Sequence, residues 1–375
     1  MAEQAVAGKK EQPSAFSAFV SGKVGAKSAK VKLNEKVIFT RQLSTMIAAG
    51  IPLLECLEIL AEQMDNPGFK AALEEIVMMV RGGTDLSTAL GEYPNCFEDI
   101  YVNMIRAGEV SGQIDEILER LAEFLEASAK LRSQITSAMT YPVISLLMIG
   151  GIAGFLLMFI VPKFKEIFDN MGVKLPLITQ LLMSLSTGMV TYFYIWIPAS
   201  IGIVVGIKAW SKTPPGKSFF DWFSLAVPVF GPLFRKVAIS RFARTFATLI
   251  SSGVPILGAL EIVASTAGNV HIEAAVNAAA ENVRQGETLA TPLAEVPQYF
   301  PPMVTRMIAI GEKSGALEAL LMKISEFYDQ QTEAAVEQLT SLIEPIMICV
   351  MGFIVGGMVL AIFLPIFEMQ KALQQ

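Results

Sequence analysis

Apolar residues recur along this chain with a helical period, and no convincing strand-type alternation is found. Phe39, Leu43, Met46 and Ile47 form an i, i+4, i+7, i+8 stripe, the spacing of an amphipathic helix with one buried face. That helix is predicted to start at Asn34 as cap and to run to Ala49. Gly50 stops it and Pro52 opens the next, because glycine accepts the left-handed turn and a first-turn proline loses no hydrogen bond. The loop is so short that the two helices must fold back as a hairpin, with Leu53, Leu54, Leu57 and Leu60 facing the same core. Asn66-Pro67-Gly68 and Gly82-Gly83 bracket a third helix running to about Val80. Thr84 or Asp85 is expected to cap a fourth ending near Leu90, and a fifth runs from about Phe97 to Ala107. After the turn Gly108–Gly112, a long sixth helix carries Ile114, Ile117, Leu118, Leu121, Phe124, Leu125, Ser128, Leu131 and Ile135 on one near-heptad face. The pattern predicts an all-α bundle of antiparallel helices.

The block RQLSTMIAAGIPLLECLEIL, Arg41 to Leu60, returns as RTFATLISSGVPILGALEIV from Arg244 to Val263, with nine of its twenty positions identical. The offset of 203 residues also pairs Arg81 with Arg284, Gly83 with Gly286, Pro94 with Pro297 and Phe97 with Phe300. It pairs IRAGEVSGQIDEIL at Ile105 with IAIGEKSGALEALL at Ile308, and Val161-Pro162 with Leu364-Pro365. One register held over more than a hundred residues marks a tandem duplication.

Three uncharged apolar runs complete the pattern: Val143 to Val161, Ile178 to Ile207 and Pro345 to Phe367. About twenty such residues cross a bilayer. The second run is longer than a span needs, carries Tyr192, Tyr194 and Trp196, and is expected to kink at Pro198. The expected order is a flexible basic segment over 1–36, a first helical module over 37–141, a transmembrane helix over 142–162 and a short outer connection over 163–186. A second span over 187–208, a linker over 209–237, a second helical module over 238–344, a third span over 345–366 and an outer tail over 367–375 follow. Two spans separate the modules, which places both on one side. Their flanks carry Lys130, Arg132, Lys208, Lys212 and Lys217, against Lys163, Lys165, Lys174 and Lys371 opposite, a small positive-inside bias. With no secretory leader read in residues 1–36 and no paired cysteines among Cys56, Cys96 and Cys349, the modules are expected in the cytoplasm.

Composition agrees. The hydrophobic fraction is 53% and the charged fraction 17%, with a mean hydropathy of +0.51, the balance of a membrane protein. A net charge of −6 argues against direct nucleic-acid binding.

The candidate chemistry is sparse. Gly216-Lys217-Ser218 resembles the end of a phosphate loop, but the upstream glycine and the βαβ setting are missing. His271-Ile272-Glu273 lacks the cysteines of a zinc deaminase, and as the single histidine it reads as a solvated helix residue. Glu109, Asp115, Glu116 and Glu119 make an acidic patch without calcium-loop spacing, read as a solvated or partner-facing surface. The spans hold no acid or base at depth, which argues against a pump or ion-coupled transporter and excludes an intramembrane aspartyl protease. No cofactor, metal or catalytic set is expected, and the chain is not read as an enzyme. Two groups of residues are candidates for packing or for meeting a partner. One is Arg41, Glu58, Arg244 and Glu261, whose repeat is not explained by turn chemistry; arginine and glutamate lie on neighbouring antiparallel helices, placed to pair with each other or to face a partner. The other is the close-spaced glycines Gly150 and Gly154, Gly202 and Gly206, and Gly352 and Gly356, which let helix backbones approach.

The duplicated Arg…Gly-Ile/Val-Pro…Leu-Glu-Ile block, the Gly-Glu-x-Ser-Gly turn and the Tyr141-Pro142 step before the first span together resemble the type II secretion F-type (GspF/PilC) inner-membrane platform proteins. The resemblance covers about residues 37–370, with Glu344-Pro345 standing where the first copy has Tyr141-Pro142. It implies a multi-pass protein of the bacterial cytoplasmic membrane in a type IV pilus or type II secretion machine. The implied partners are a hexameric cytoplasmic ATPase, pilin or pseudopilin subunits, other inner-membrane assembly proteins and further copies of the chain. The competing class is a membrane transporter or receptor with duplicated helical domains.

Overall fold

A computed structural model describes residues 30–171, 176–228 and 230–373. Most of the basic segment expected over 1–36, and Lys174 in the outer connection, lie outside the described residues, as do the side chains from 368 onward. Among the described residues all regular structure is helical, and no strand occurs.

The first repeat is built from α1 (Leu33–Ala48), α2 (Leu53–Gln63), α3 (Pro67–Arg81), α4 (Leu86–Gly91), α5 (Asp99–Ser111) and the long α6 (Ile114–Phe155). A π-helical turn, Leu156–Ile160, continues α6 into α7 (Val161–Met171). Then come α8 (Leu177–Thr191), α9 (Phe193–Trp210) and α10 (Pro214–Ala226). The second repeat holds α11 (Gly231–Ser251), α12 (Ile256–Thr266), α13 (Val270–Arg284), α14 (Ala290–Ala294), α15 (Pro302–Ser314) and α16 (Leu317–Leu373). Helices α12, α13 and α15 have the bounds of α2, α3 and α5 displaced by 203 residues at both ends.

The same chemistry sets the same boundaries twice. Asn66 caps α3 by accepting the Gly68 and Phe69 amides at 3.1 and 3.3 Å. Its repeat partner Asn269 caps α13 through the His271 and Ile272 amides. Gly112 and Gly315 both adopt φ +72° beyond α5 and α15, a conformation that favours glycine. Asn34, expected as the cap of α1, lies inside its first turn. Lys32 holds the cap position, and Glu35 reaches back to its amide at 3.0 Å, one half of a capping box.

Two compact units are distinguished: one takes the chain to Ala129 together with Thr248–Ile262, the other Lys130–Ala247 with Val263 onward. In the first, Phe39, Phe69 and Phe97 form a fully buried triad with ring centroids 5.5–6.0 Å apart. Thr40 and Tyr101 share a buried hydroxyl hydrogen bond of 3.1 Å beside it, and burial pushes the Tyr101 phenol well above its usual range. In the second unit Phe242 and Phe300 stack edge-on at 5.1 Å. Ile272 stands at the third position of that triad, and Ala243 and Val304 stand where the first repeat has Thr40 and Tyr101.

Among the described residues two helical stretches are long and apolar enough, each by itself, to cross a membrane: Ile114–Ile167, with mean hydropathy 2.6 in its most apolar stretch, and Leu317–Pro365, with 2.7. Each passes through its prolines without a break, Pro142 in the first and Pro345 in the second. The second uncharged run is divided, but not at Pro198. The interruption falls at Tyr192, whose φ of −107° and ψ of 18° leave the helical region. Pro198 lies inside α9, and α8 and α9 have 15 and 18 residues. The stretch expected as a linker over 209–237 contains α10 and the first turns of α11.

Candidate functional site

The repeated arginines meet carboxylates that are themselves 203 residues apart. Arg41 on α1 grips Glu126 on α6 with two parallel hydrogen bonds, Nε to Oε1 at 2.6 Å and Nη2 to Oε2 at 2.7 Å. Such a fork-to-fork pair fixes orientation as well as charge. The bond from Arg41 holds the Glu126 carboxyl below the usual carboxylate value. In the second repeat Arg244 on α11 pairs with Asp329 on α16, which also accepts from Ser240. This copy is the more enclosed: its side chains are 19% and 29% exposed, against 35% and 43% for Arg41 and Glu126. Glu58 does not pair with Arg41. It meets Arg81 at 2.5 Å, a residue also repeated as Arg284. Glu261, its repeat partner, lies on the exposed side of α12. The carboxylates Glu126 and Asp329 escape a search for identical residues, because the two copies use different acids. A search for equal charge at the same offset finds them.

The Gly-Glu-x-Ser-Gly turn has a structural assignment. Glu109 accepts the Ser87 amide at 3.2 Å and Glu312 the Leu289 amide at 2.8 Å. Each carboxylate caps the short helix α4 or α14 from outside, where the Asp85 side chain makes no cap bond of its own. The glycine before it lets two helices touch: a Cβ on Gly311 would stand 2.9 Å from Leu317 Cα, and one on Gly108 3.2 Å from Ile114 Cα. In the rest of the acidic patch, Glu116 pairs with Arg120 at 2.7 Å. Among the described residues no group of three metal-ligating side chains converges.

His271 is half-buried rather than freely solvated. Its ring stacks on Tyr299 at 5.8 Å, and Nε2 lies 3.3 Å from the Ser218 carbonyl. Gly216 is explained by sterics, since a Cβ there would fall 1.9 Å from the Trp210 carbonyl oxygen. The thiols of Cys56 and Cys96 are buried and form no disulfide, and burial pushes both pKa values up.

Within the second unit the apolar parts of α6 and α16 run side by side. Gln134 donates to Glu333 at 2.9 Å, and Ile135 and Ala138 pack against Leu233, Val336 and Leu339. Further along they open a groove of about 240 Å³ lined by Tyr141, Met148 and Ile152 from α6 and by Glu344, Met351 and Val355 from α16. These six are repeat partners, so equivalent helices form its two walls. Methionine adds Met347 and Met358, giving an adaptable, polarisable lining.

Helix α8 supplies two hydroxyls to the same pair of apolar segments. Thr179 donates to the Ala361 carbonyl at 2.7 Å and Ser186 to the Leu157 carbonyl at 2.5 Å. Both carbonyls precede prolines at equivalent positions, Pro365 and Pro162, which have no N–H to offer. In apolar surroundings a freed carbonyl needs such a donor. The candidate glycines behave differently from those at the turns. Around Gly150, Gly154, Gly202, Gly206, Gly352 and Gly356 a Cβ would meet no atom within 4 Å. Their close-packing capacity is not used among the described residues.

The chain matches the family described as Type II secretion system (T2SS), protein F, over residues 39–162 and again over 242–365, two matches displaced by the same 203 residues. It is 45% identical over 339 residues to the Type IV pilus assembly protein PilC of Myxococcus xanthus, covering 90% of this chain and 81% of that one. Against the PilC of Thermus thermophilus identity is 44%, covering 90% and 82% of the two chains. Against the Type II secretion system protein F of Vibrio cholerae it is 36%, covering 90% and 83%. The chain belongs to the type II secretion system protein F family.

Proposed function

We propose that this protein is the inner-membrane platform of a type IV pilus or type II secretion assembly machine, a structural component rather than an enzyme. In this reading the two helical modules face the cytoplasm and engage the assembly ATPase. The spans pass its motion to pilin or pseudopilin subunits leaving the bilayer, in company with other assembly proteins and further copies of the chain. The observation that carries the reading is the double family match, which covers both repeats and both long apolar helices. The bidentate Arg41–Glu126 pair and its enclosed counterpart Arg244–Asp329 support it, since they tie a module's first helix to the helix that continues into the apolar region. Motion applied to either module is then carried along a continuous helix. A third crossing by the divided run α8–α9 places both modules on the same side.

The reading is tested in the protein's own cell. Tagged full-length chain, crosslinked and extracted, is expected to retain an assembly ATPase and pilin-type subunits. A deletion strain that still assembles filaments and secretes at the parental level overturns it. For topology, a cysteine replacing Lys163 is expected to react with a membrane-impermeant thiol reagent in intact cells, and one replacing Gln285 only after lysis. The reverse pattern overturns the cytoplasmic placement.

A further inference from the structure

Helix α10 turns an aromatic face outward. Phe219, Trp222 and Phe223 are 46%, 52% and 51% exposed, at positions i, i+3 and i+4, one side of a helix. Its opposite side is anchored. The Asp221 carboxylate accepts the Val270 amide at 2.8 Å, and the Asp221 carbonyl accepts from Asn269 Nδ2 at 3.1 Å. The only acid of α10 is therefore spent at the N-terminus of α13, where a helix dipole favours it, and the aromatic side is left without negative charge.

The start of the helix is equally fixed. Thr213 caps it through the Gly216 amide, and Gly216 lies so close to the Trp210 carbonyl that no side chain fits. Trp210, the last residue of the apolar α9, packs on Phe219 and Phe220 with centroids 5.5 and 5.4 Å apart. The aromatic face is thus continuous with the end of an apolar helix. Exposed Lys208, Lys212 and Lys217 surround that junction. At 13 residues α10 spans about 20 Å, short of the ~30 Å needed to cross the hydrocarbon.

We propose that α10 lies in the plane of the membrane surface. Phe219, Trp222 and Phe223 sink into the boundary between headgroups and acyl chains, and the three lysines meet the phosphates of anionic lipid. An exposed aromatic face, flanking lysines and no acid on the apolar side are the features of an interfacial helix. Asp221 then makes α10 a float that holds the start of α13 at a set height above the bilayer. The inference rests on the membrane reading of α6 and α16, and its test reports on the two separately.

The full chain is reconstituted in vesicles of phosphatidylcholine and phosphatidylglycerol, with Trp196→Phe and Trp210→Phe leaving Trp222 as the single tryptophan. Its emission is expected to be quenched strongly by lipids brominated near the headgroup end of the acyl chain, less by lipids brominated near the terminal methyl, and little by aqueous iodide. Quenching by iodide and not by lipid overturns the proposal, because the face then lies in water. Strongest quenching by the deepest bromines overturns it too, since α10 would then enter the hydrocarbon. In vesicles with phosphatidylglycerol, Lys212→Glu with Lys217→Glu is expected to reduce the shallow quenching; an unchanged signal removes the anionic-lipid part. Wild-type protein supplies a check that needs no variant: a phosphatidylglycerol carrying a diazirine near its glycerol is expected to label 219–223. Label on α6 and α16 but none on α10 defeats this inference alone. Label on none of the three defeats the membrane reading as well.

Discussion

Thr179 donates its hydroxyl to the Ala361 carbonyl at 2.7 Å, the carbonyl that Pro365, four residues on, leaves without its helical donor. Seven residues along the same face of α8, Ser186 does the same for Leu157 ahead of Pro162, at 2.5 Å. There the helix is in π register, with the Val161 amide reaching Leu156, so the carbonyl that loses its donor to Pro162 is five residues back rather than four. One helix thus mends the second proline defect of each duplicated apolar segment, at Pro162 and at Pro365. Thr179 and Ser186 are 1% and 2% exposed, so water does not substitute for them.

Thr179→Val keeps the shape and removes the donor. The expected loss is about 0.6–1.7 kcal/mol of stability, the range for hydrogen bonds between membrane helices, read by denaturant titration in mixed micelles. The assignment to Pro365 is tested by a double-mutant cycle. Pro365→Ala restores an N–H to Ala361, so Thr179→Val is expected to cost markedly less in that background. An equal cost in both backgrounds shows that Thr179 acts through packing alone.

The glycines of the Gly-Glu-x-Ser-Gly turn make a graded prediction. A Cβ at position 311 would meet backbone at 2.9 Å, whereas at 108 the nearest atoms are at 3.2 Å. Both substitutions overpack a helix contact, with costs of about 1–3 kcal/mol, and Gly311→Ala is expected to be the worse. Matched thermal unfolding of the two variants checks the order.

Much of the helix plan was legible in the sequence because the turn chemistry is written twice. Gly112 and Gly315 share a positive φ, and Asn66 and Asn269 share a cap. Features that depend on tertiary contact were not legible. The break at Tyr192 has no glycine or proline to announce it, while Pro198, which looks like a break, is carried inside a helix. The Arg41 partner lies 85 residues away, beyond the reach of any local pattern. Helix α10 hid behind Thr213-Pro214-Pro215-Gly216, which reads as a loop but serves as cap, first-turn prolines and a close contact.

The pair Arg41–Glu126 gives the protein an acid limb. The carboxyl of Glu126 is held below its ordinary value of 4.5 by the bond from Arg41. A depressed folded-state pKa contributes stability that is complete above the unfolded value and lost as pH falls through the folded one. The contribution is therefore full at neutral pH, starts to fall as the pH drops past 4.5 and is gone once the pH lies below the depressed folded value. Because Arg41 and Glu126 are 35% and 43% exposed, solvent screening keeps it under about 1 kcal/mol. Glu126→Gln is expected to flatten the acid limb of a stability–pH curve and to lower the neutral plateau slightly. An acid limb unchanged in slope assigns the effect to other carboxylates.

The six close-spaced glycines of the apolar helices separate internal packing from contact with a partner. If their role were to pack this chain, bulky replacements would meet its own atoms, yet none lies within 4 Å of a Cβ at Gly206 or its five counterparts. Gly206→Leu is accordingly expected to leave folding and membrane level near wild type, since the added side chain enters open space. If the Gly202–Gly206 face receives another protein's apolar helix, the same leucine pushes that backbone away and removes the close contact that holds helices together in lipid. Filament or secreted-protein yield is then lost while ATPase retention persists, and Gly206→Ala, which adds one methyl, stays close to normal. Quantitative immunoblotting of membranes alongside an assembly assay reads both quantities in the same cells. Wild-type assembly in the leucine variant removes the partner role for this face. Loss of the protein itself returns the glycines to packing, in that case between copies of the chain.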